Sequence, residues 1–302
     1  ASISVTNLFA IYTRGITASH TVTPYKNSNR RRTNNTLCRF HGKGLFVIRI
    51  MNIQWNAEEY RHHFQFVHHY GEDLLQLIDE PQGKRVVDLG CGNGALSAKL
   101  RDLGCHVTGV DASADMLGIA RASYPDIPFI QGDLRTFQLD TPADVLFSNA
   151  VFHWIDASDQ QKMLCQIASQ LVPGGQLVCE FGGHGCAETV HAALERAFTR
   201  RQLIYPRVFY FPTIGEYTPL LEHAGFKVVW AHLFDRWTQQ STPDGLSDWI
   251  RMFVRKPFEN LSEDVTAQII QEVNEELRPV LYQDGHWYID YVRIRIKAIK
   301  EV

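Results

Sequence analysis

A glycine run preceded by one acid and followed by two more carries most of the chemistry that this sequence offers. In Lys84-Arg-Val-Val-Asp-Leu-Gly-Cys-Gly-Asn-Gly94, Asp88 stands at the end of an apolar run, ahead of Gly90, Gly92 and Gly94. Glycines let the backbone turn sharply, and they let a ligand lie against main-chain N–H groups at the start of the next helix. Asp111 closes the next apolar run, 23 residues after Asp88. A carboxylate at that place accepts hydrogen bonds from ribose hydroxyls. Because Ala95 follows Gly94, Gly90 to Ala95 also satisfies the dinucleotide pattern G-x-G-x-x-G/A. These two features by themselves leave the choice of nucleotide-like ligand open.

Three further features narrow it. Asp88 lies two residues before the first glycine, where a carboxylate addresses an amino acid's ammonium and would repel a pyrophosphate. Gly132-Asp133-Leu134 places a third acid after another apolar run, positioned to accept from an adenine amino group. Ser148-Asn-Ala-Val-Phe-His-Trp154 follows a fourth such run with polar backbone and then aromatics. A cation facing an aromatic ring gains roughly 0.5–2 kcal/mol, so Tyr60, Phe64 or Trp154 suits a positively charged centre in the ligand.

With these pieces the sequence resembles the class I S-adenosylmethionine-dependent methyltransferases over about residues 55 to 300. The matching segments are VVDLGCGNG, VTGVDAS, FIQGDL, LFSNAVFHW and LVPGG. Within the class it is most similar to trans-aconitate methyltransferases and related small-acid enzymes, through Trp55-Asn-Ala-Glu-Glu-Tyr60, Asn149 with His153-Trp154, Glu180-Phe-Gly-Gly183, Trp249 and Phe253. The resemblance implies S-adenosyl-L-methionine as cofactor. Its methionyl and ribose parts would rest on Asp88, Gly90, Cys91, Gly92, Gly94, Asp111, Ala112 and Met116. Asp133 and Leu134 would hold the adenine, Asn149 and Ala150 would line the same site, and a segment carrying Trp55 and Tyr60 would close over it. Trp154, Glu180 and Trp249, together with Phe64 and Arg207 read from their chemistry, are the candidate acceptor-side residues, with a small molecule as methyl acceptor. Phe152 departs from the Leu or Ala that relatives carry at its place.

Methyl transfer is an in-line displacement in which the protein positions the nucleophile and excludes water. A carboxylate acceptor needs no general base. A hydroxyl or amine does, and His153 has the most suitable unperturbed pKa. An anionic acceptor calls for Arg or Lys, and Arg207, Arg236 and Arg251 lie in segments that could reach it. Bland readings stand beside these. Asp88 and Asp133 could cap turns, His153 and Trp154 could pack a core, and Glu180 and Arg207 could form surface ion pairs. Two rival functions also remain: an NAD-dependent oxidoreductase, and a protein that binds S-adenosylmethionine without turning it over.

The elements that would position these residues follow from periodicity. Arg85–Leu89, His106–Val110, Pro128–Gln131, Val145–Ser148 and Gln176–Phe181 read as strands, with helices between them. Leu96, Leu100 and Leu103 mark one helix face, and Ser113 caps the next helix. Ser158-Asp-Gln-Gln161 reads as a capping box. This alternation predicts a doubly wound, Rossmann-like α/β fold: a seven-stranded sheet, mostly parallel, with an antiparallel strand hairpin at its C-terminal end. Val292-Arg-Ile-Arg-Ile-Lys alternates with period two, as a strand with one solvated face at the end of the sheet. Residues 243–285 read as a helical insertion, a lid beside the ligand.

The 302 residues are 45% hydrophobic and 21% charged, enough for one large core. Residues 1–50 hold eight basic and no acidic residues, so the remainder carries 22 of the 30 basic groups and all 33 acidic ones, a net of −11. A body that acidic disfavours phosphate-backbone binding, so no nucleic-acid partner is expected. The leader, 1–50, has three readings: a transit peptide, a basic arm, or sequence ahead of a start at Met51. The folded domain is expected over 51–302. No apolar run reaches the roughly 18 residues that cross a bilayer. The six cysteines form no C-x-x-C pair and the thirteen histidines no ligand spacing. Free thiols, a cytoplasmic location, no metal, and a monomer or homodimer are the resulting expectations.

Overall fold

In the computed structural model, the described residues are Gly71 and 73–302. The leader 1–50 and three expected ligand-facing residues, Trp55, Tyr60 and Phe64, lie outside them.

The sheet forms as the alternation predicts. Strands β1 (Arg85–Leu89), β2 (His106–Asp111), β3 (Phe129–Gln131), β4 (Ala143–Asn149) and β5 (Leu171–Gly182) are followed by β6 (Phe226–Gln239), the short β7 (Tyr282–Gln283) and β8 (His286–Lys300). The order across the sheet is β3-β2-β1-β4-β5-β8-β6, with β7 pairing β8 off this path. Pairs β1–β2, β1–β4, β2–β3 and β4–β5 are parallel, and β8 is antiparallel to both β5 and β6. The strand order reverses between β1 and β4, and open α/β sheets bind ligands in the crevice outside such a switch point.

The helices attach by the apolar stripes that their sequences carry. Ala95–Asp102 buries Leu96, Ala98 and Leu100, while Leu103, expected on the same face, is exposed. Ala114–Ser123 starts at Ser113, whose Oγ accepts the Met116 N–H, as anticipated. Ala157–Ser169 buries Met163, Leu164, Ile167 and Ala168. Its start corrects the expected capping box: Asp156 is the N-cap, and no side chain caps the helix. Here Gln160 is buried instead, its amide donating to the Phe152 and Ile155 carbonyls.

The C-terminal strand needs a second correction. β8 does not edge the sheet; it lies between β5 and β6, and β6 is the edge. Its alternation therefore separates two buried faces. Ile294, Ile296 and Ala298 join the core under β4 and β5, while Arg293, Arg295 and Lys297 alternate with them and are largely covered.

Residues 243–285 are helical, as expected, in Gly245–Phe253 and Glu263–Leu281. They bury Trp249, Ile250, Phe253, Ile269, Val273 and Leu277 with Leu194 and Phe198 of the helix Glu188–Arg200, and with Trp287, Ile289 and Tyr291 of β8. No helix among the described residues is long and apolar enough to cross a membrane. The five described cysteines are free thiols.

Candidate functional site

The carboxyl ends of β1, β2 and β4 bring most of the expected residues together. Gly90, Gly92 and Gly94 all take positive φ (71°, 54° and 80°), so the chain folds back after Leu89 before entering the helix at Ala95. The Gly90 and Cys91 N–H groups both donate to the Val110 carbonyl, which ties the loop to β2. Space is as restrictive as conformation. A Cβ on Gly90 would lie 2.4 Å from Cγ2 of Val151, and one on Gly92 would lie 3.2 Å from Cε of Met116. The loop after β4 and the start of the helix at Ser113 thus wall the glycine turn on two sides.

Asp111 braces the same turn. Its Oδ2 accepts the Gly92 N–H and its Oδ1 the Ser113 N–H, each at 2.8 Å. Burial raises its pKa, and these backbone donors oppose the rise. Asp88 is 2% exposed, with Oδ2 accepting from Ser97 Oγ at 2.6 Å. Burial, set against the Ser97 bond and reinforced by the nearby Asp111 charge, pushes its carboxyl up to about 7. A buried acid in that state favours a cation beside it.

Asp133 follows β3, but its carboxylate is already engaged. Oδ1 accepts the Arg135 backbone N–H at 2.8 Å, and the Arg135 guanidinium binds both oxygens while also reaching Asp159. Burial works against ionisation here, and Arg135 outweighs it, holding the carboxyl low. The turn-capping reading therefore describes what Asp133 does in the protein alone, and its remaining lone pairs are all that a ligand could use. Leu134 packs its side chain with Val87, Leu89 and Val110. Cys91 is buried, with burial raising its thiol. Asn149 and Ala150 close the site at the end of β4. Asn149 pairs with Glu180, and Ala150 takes a φ of 61° with its N–H on the Glu180 carbonyl.

The acceptor side differs more from expectation. His153 and Trp154 sit in a 3-10 turn, Phe152–Trp154, after β4. His153 is 7% exposed, among the rings of Trp154, Phe209 and Phe211. Its Nδ1 accepts the Gly182 N–H at 3.2 Å. Burial, and then the Arg293 charge, keep its protonated form well below the usual range for histidine. The ring is accordingly neutral, with its proton on Nε2 and its lone pair on Nδ1 occupied by backbone. A ring in this state is a weak base.

Glu180 is not an open acceptor ligand and not a surface ion pair. It is 2% exposed, and Arg236 and Arg295 both bind it, with Arg295 Nε at 2.7 Å from Oε2. Arg207 pairs with Glu188 and Glu195 at an exposed position, and Arg251 with Glu263. Trp249 is 3% exposed, and its Nε1 donates to the Tyr291 hydroxyl at 2.6 Å. It belongs to the core of the insertion, while Phe253 of the same helix lies 6.1 Å from Trp154. The residue that the sequence reading passed over is Arg293. Its register with Gly182 became visible only in the sheet.

A family model described as "Methyltransferase domain" matches residues 86–175. An uncharacterized methyltransferase of Schizosaccharomyces pombe is 28% identical over 259 residues, 82% of this chain and 98% of its own length. Trans-aconitate 2-methyltransferases of Rhizobium etli (27% identical, 82% of this chain and 99% of theirs) and Escherichia coli (26%, 81% and 97%) are similar along the same stretch. Among solved structures, a Haemonchus contortus phosphoethanolamine N-methyltransferase in complex with S-adenosylhomocysteine shares the fold. Its TM-score is 0.51 at 16% identity, over 82% of this chain and 57% of that one.

Proposed function

We propose that this chain, a class I S-adenosylmethionine-dependent methyltransferase, forms the methyl ester of a small carboxylic acid of the kind that its trans-aconitate relatives are named for. The observation that carries the acceptor class is the state of His153. It is neutral, buried, and has its only basic nitrogen on the Gly182 N–H. A hydroxyl or amine acceptor would have to lose a proton, and His153 is not available to take it. A carboxylate is already the nucleophile at neutral pH.

The residues present fit the methyl donor. The glycine turn puts main chain without side chains at the carboxyl end of β1, Asp88 is a buried acid that an ammonium would keep ionised, and Asp111 has lone pairs beyond its backbone bonds for ribose hydroxyls. S-adenosylmethionine, when bound, would supply an electrophilic methyl on its sulfonium, and a carboxylate already carries the electron pair that such a methyl needs. No proton is released. The chain's part is then to orient and to dry the site. Trp154 with Phe209 and Phe253 forms an aromatic wall, and His153 Nε2–H is a donor for an acceptor oxygen. Excluding water removes the hydration shell that stabilises a free carboxylate against reaction. Residues 243–285 contribute Phe253 to this wall, in keeping with an insertion that covers the acceptor.

The test is mass spectrometry of reactions containing S-adenosylmethionine and a panel of mono-, di- and tricarboxylic acids, phenols and amines. A gain of one CH2 unit on a carboxylic acid, lost again on mild alkaline hydrolysis, is the expected result. Methylation of phenols or amines alone would overturn the proposal.

A further inference from the structure

Three guanidinium groups adjoin the end of β5, and among the described residues only two of them have a counter-ion. Arg236 and Arg295 share Glu180. Arg293, two residues before Arg295 on β8, is 7% exposed, yet among the described residues no acid pairs with it. Its Nε is a buried donor that no acceptor meets. The group lies over the Tyr291 ring, 4.5 Å from its centroid. A buried charge without a counter-charge is among the most costly arrangements in a protein interior, and an arriving anion removes that cost.

Its place points to which anion. Arg293 is in register with Gly182, the last residue of β5, and Gly182 is the residue whose N–H holds His153. Across the same end of the sheet, Asn149 is in register with Glu180. Arg293 therefore stands at the carboxyl edge, beyond the cofactor's glycine turn and on the side of His153 and Trp154. Its charge is near enough to His153 to oppose protonation of that ring and near enough to Cys186 to be felt by its thiol. Arg207 and Arg251, by contrast, are exposed and paired.

We propose that Arg293 is the acceptor-recognition residue, and that its guanidinium grips a carboxylate of the acceptor other than the one methylated, so that the substrate class is a di- or tricarboxylic acid. The proposal rests on the carboxylate reading above. The planar fork of a guanidinium matches a carboxylate bidentately. A carboxylate held in this way has its lone pairs engaged and is a poor nucleophile. The methylated group must then be a second carboxylate on the same molecule, while a monocarboxylic acid offers only one group for both tasks.

Arg293→Gln and Arg293→Lys test this with trans-aconitate, the dicarboxylate trans-glutaconate and the monocarboxylate crotonate. In the unaltered protein, KM is expected to be lower for the two polyacids than for crotonate by at least about 30-fold, the scale of a buried charge pair. Arg293→Gln removes that difference through KM, with kcat within about threefold and affinity for S-adenosylhomocysteine unchanged, and Arg293→Lys restores part of it. The thermal midpoint of Arg293→Gln without ligand is expected to match or exceed that of the parent, because an unpaired buried charge has gone. Undiminished discrimination in Arg293→Gln, or an equal loss of kcat on all three acids, overturns the proposal. Calorimetry of trans-aconitate binding to protein saturated with S-adenosylhomocysteine separates the two readings. Binding that Arg293→Gln abolishes, without turnover of any acid, leaves Arg293 an anion site and sinks only the acceptor assignment. No binding by the unaltered protein sinks Arg293.

Discussion

If Asp88 holds the cofactor's ammonium as proposed, it links cofactor binding to pH. With its carboxyl raised to about 7 by burial and by Asp111, the free protein carries a proton there under mildly acidic conditions. Pairing with an ammonium requires the ionised form, so affinity for S-adenosylmethionine should be constant above about pH 7 and fall below it. The limit is tenfold per pH unit for one linked proton. Calorimetry across that range should show the slope, and Asp88→Asn should flatten it while lowering affinity throughout. The same shift has a stability consequence of opposite sense. A carboxyl raised above its unfolded value stabilises the fold below about pH 4, and this contribution is lost as the pH rises through 7. At Asp111, Asp111→Ala should weaken cofactor binding by roughly 1–3 kcal/mol, the scale of a hydrogen bond to a buried charged group. Unchanged affinity by calorimetry would take Asp111 out of the site. Because Asp111 also holds the Gly92 N–H, part of the loss should come from a loosened glycine turn.

Among the elements, the β1-to-helix turn is the least tolerant, since three glycines there combine positive φ with occupied space. Gly90→Ala meets both the strain of φ +71° and the Val151 side chain at 2.4 Å. It should cost about 1–3 kcal/mol in thermal unfolding and abolish tight cofactor binding. Val151→Ala in the same chain should recover the steric part only, because the backbone strain remains. The turn at Phe152–Trp154 is held differently. Gln160 donates to the Phe152 and Ile155 carbonyls, Gly182 binds the His153 ring, and the Tyr210 N–H binds the His153 carbonyl. These bonds come from the next helix, from β5 and from the segment before the helix Ile214–His223. They hold His153 in a fixed place among the neighbouring rings.

Across the molecule, the described residues form three apolar clusters, and the proposed acceptor side is built on the one that includes the 243–285 insertion. Trp249 is central to it, touching Phe253, His191 and Tyr291. Trp249→Ala should cost about 3–5 kcal/mol in denaturant unfolding, as for a large buried ring. It should also raise acceptor KM, because Phe253 leans on it and faces Trp154. A substitution that lowered stability but left KM unchanged would separate the insertion from the acceptor site.

Local order was sufficient to read the parallel half of this fold. A glycine turn, a capping serine and apolar runs of four to seven residues act through neighbours in the chain, so β1 to β5, the helices between them and the Asp88–Asp111 frame were legible in the residues themselves. The failures share a cause. Whether Arg293 meets solvent depends on which strand lies beside β8, and period-two alternation is the same for an edge strand and for one buried on both sides. Glu180 finds its partners 56 and 115 residues away, and no spacing rule reaches so far. His153 has an unremarkable sequence setting, and only its burial, with the Arg293 charge nearby, decides its protonation, while the Gly182 N–H occupies Nδ1. The sequence by itself determined the glycine turn and pointed to its class of ligand. The tertiary structure decided which charges are spent and which remain for an acceptor, because pairing and burial are properties of residues brought together from distant strands.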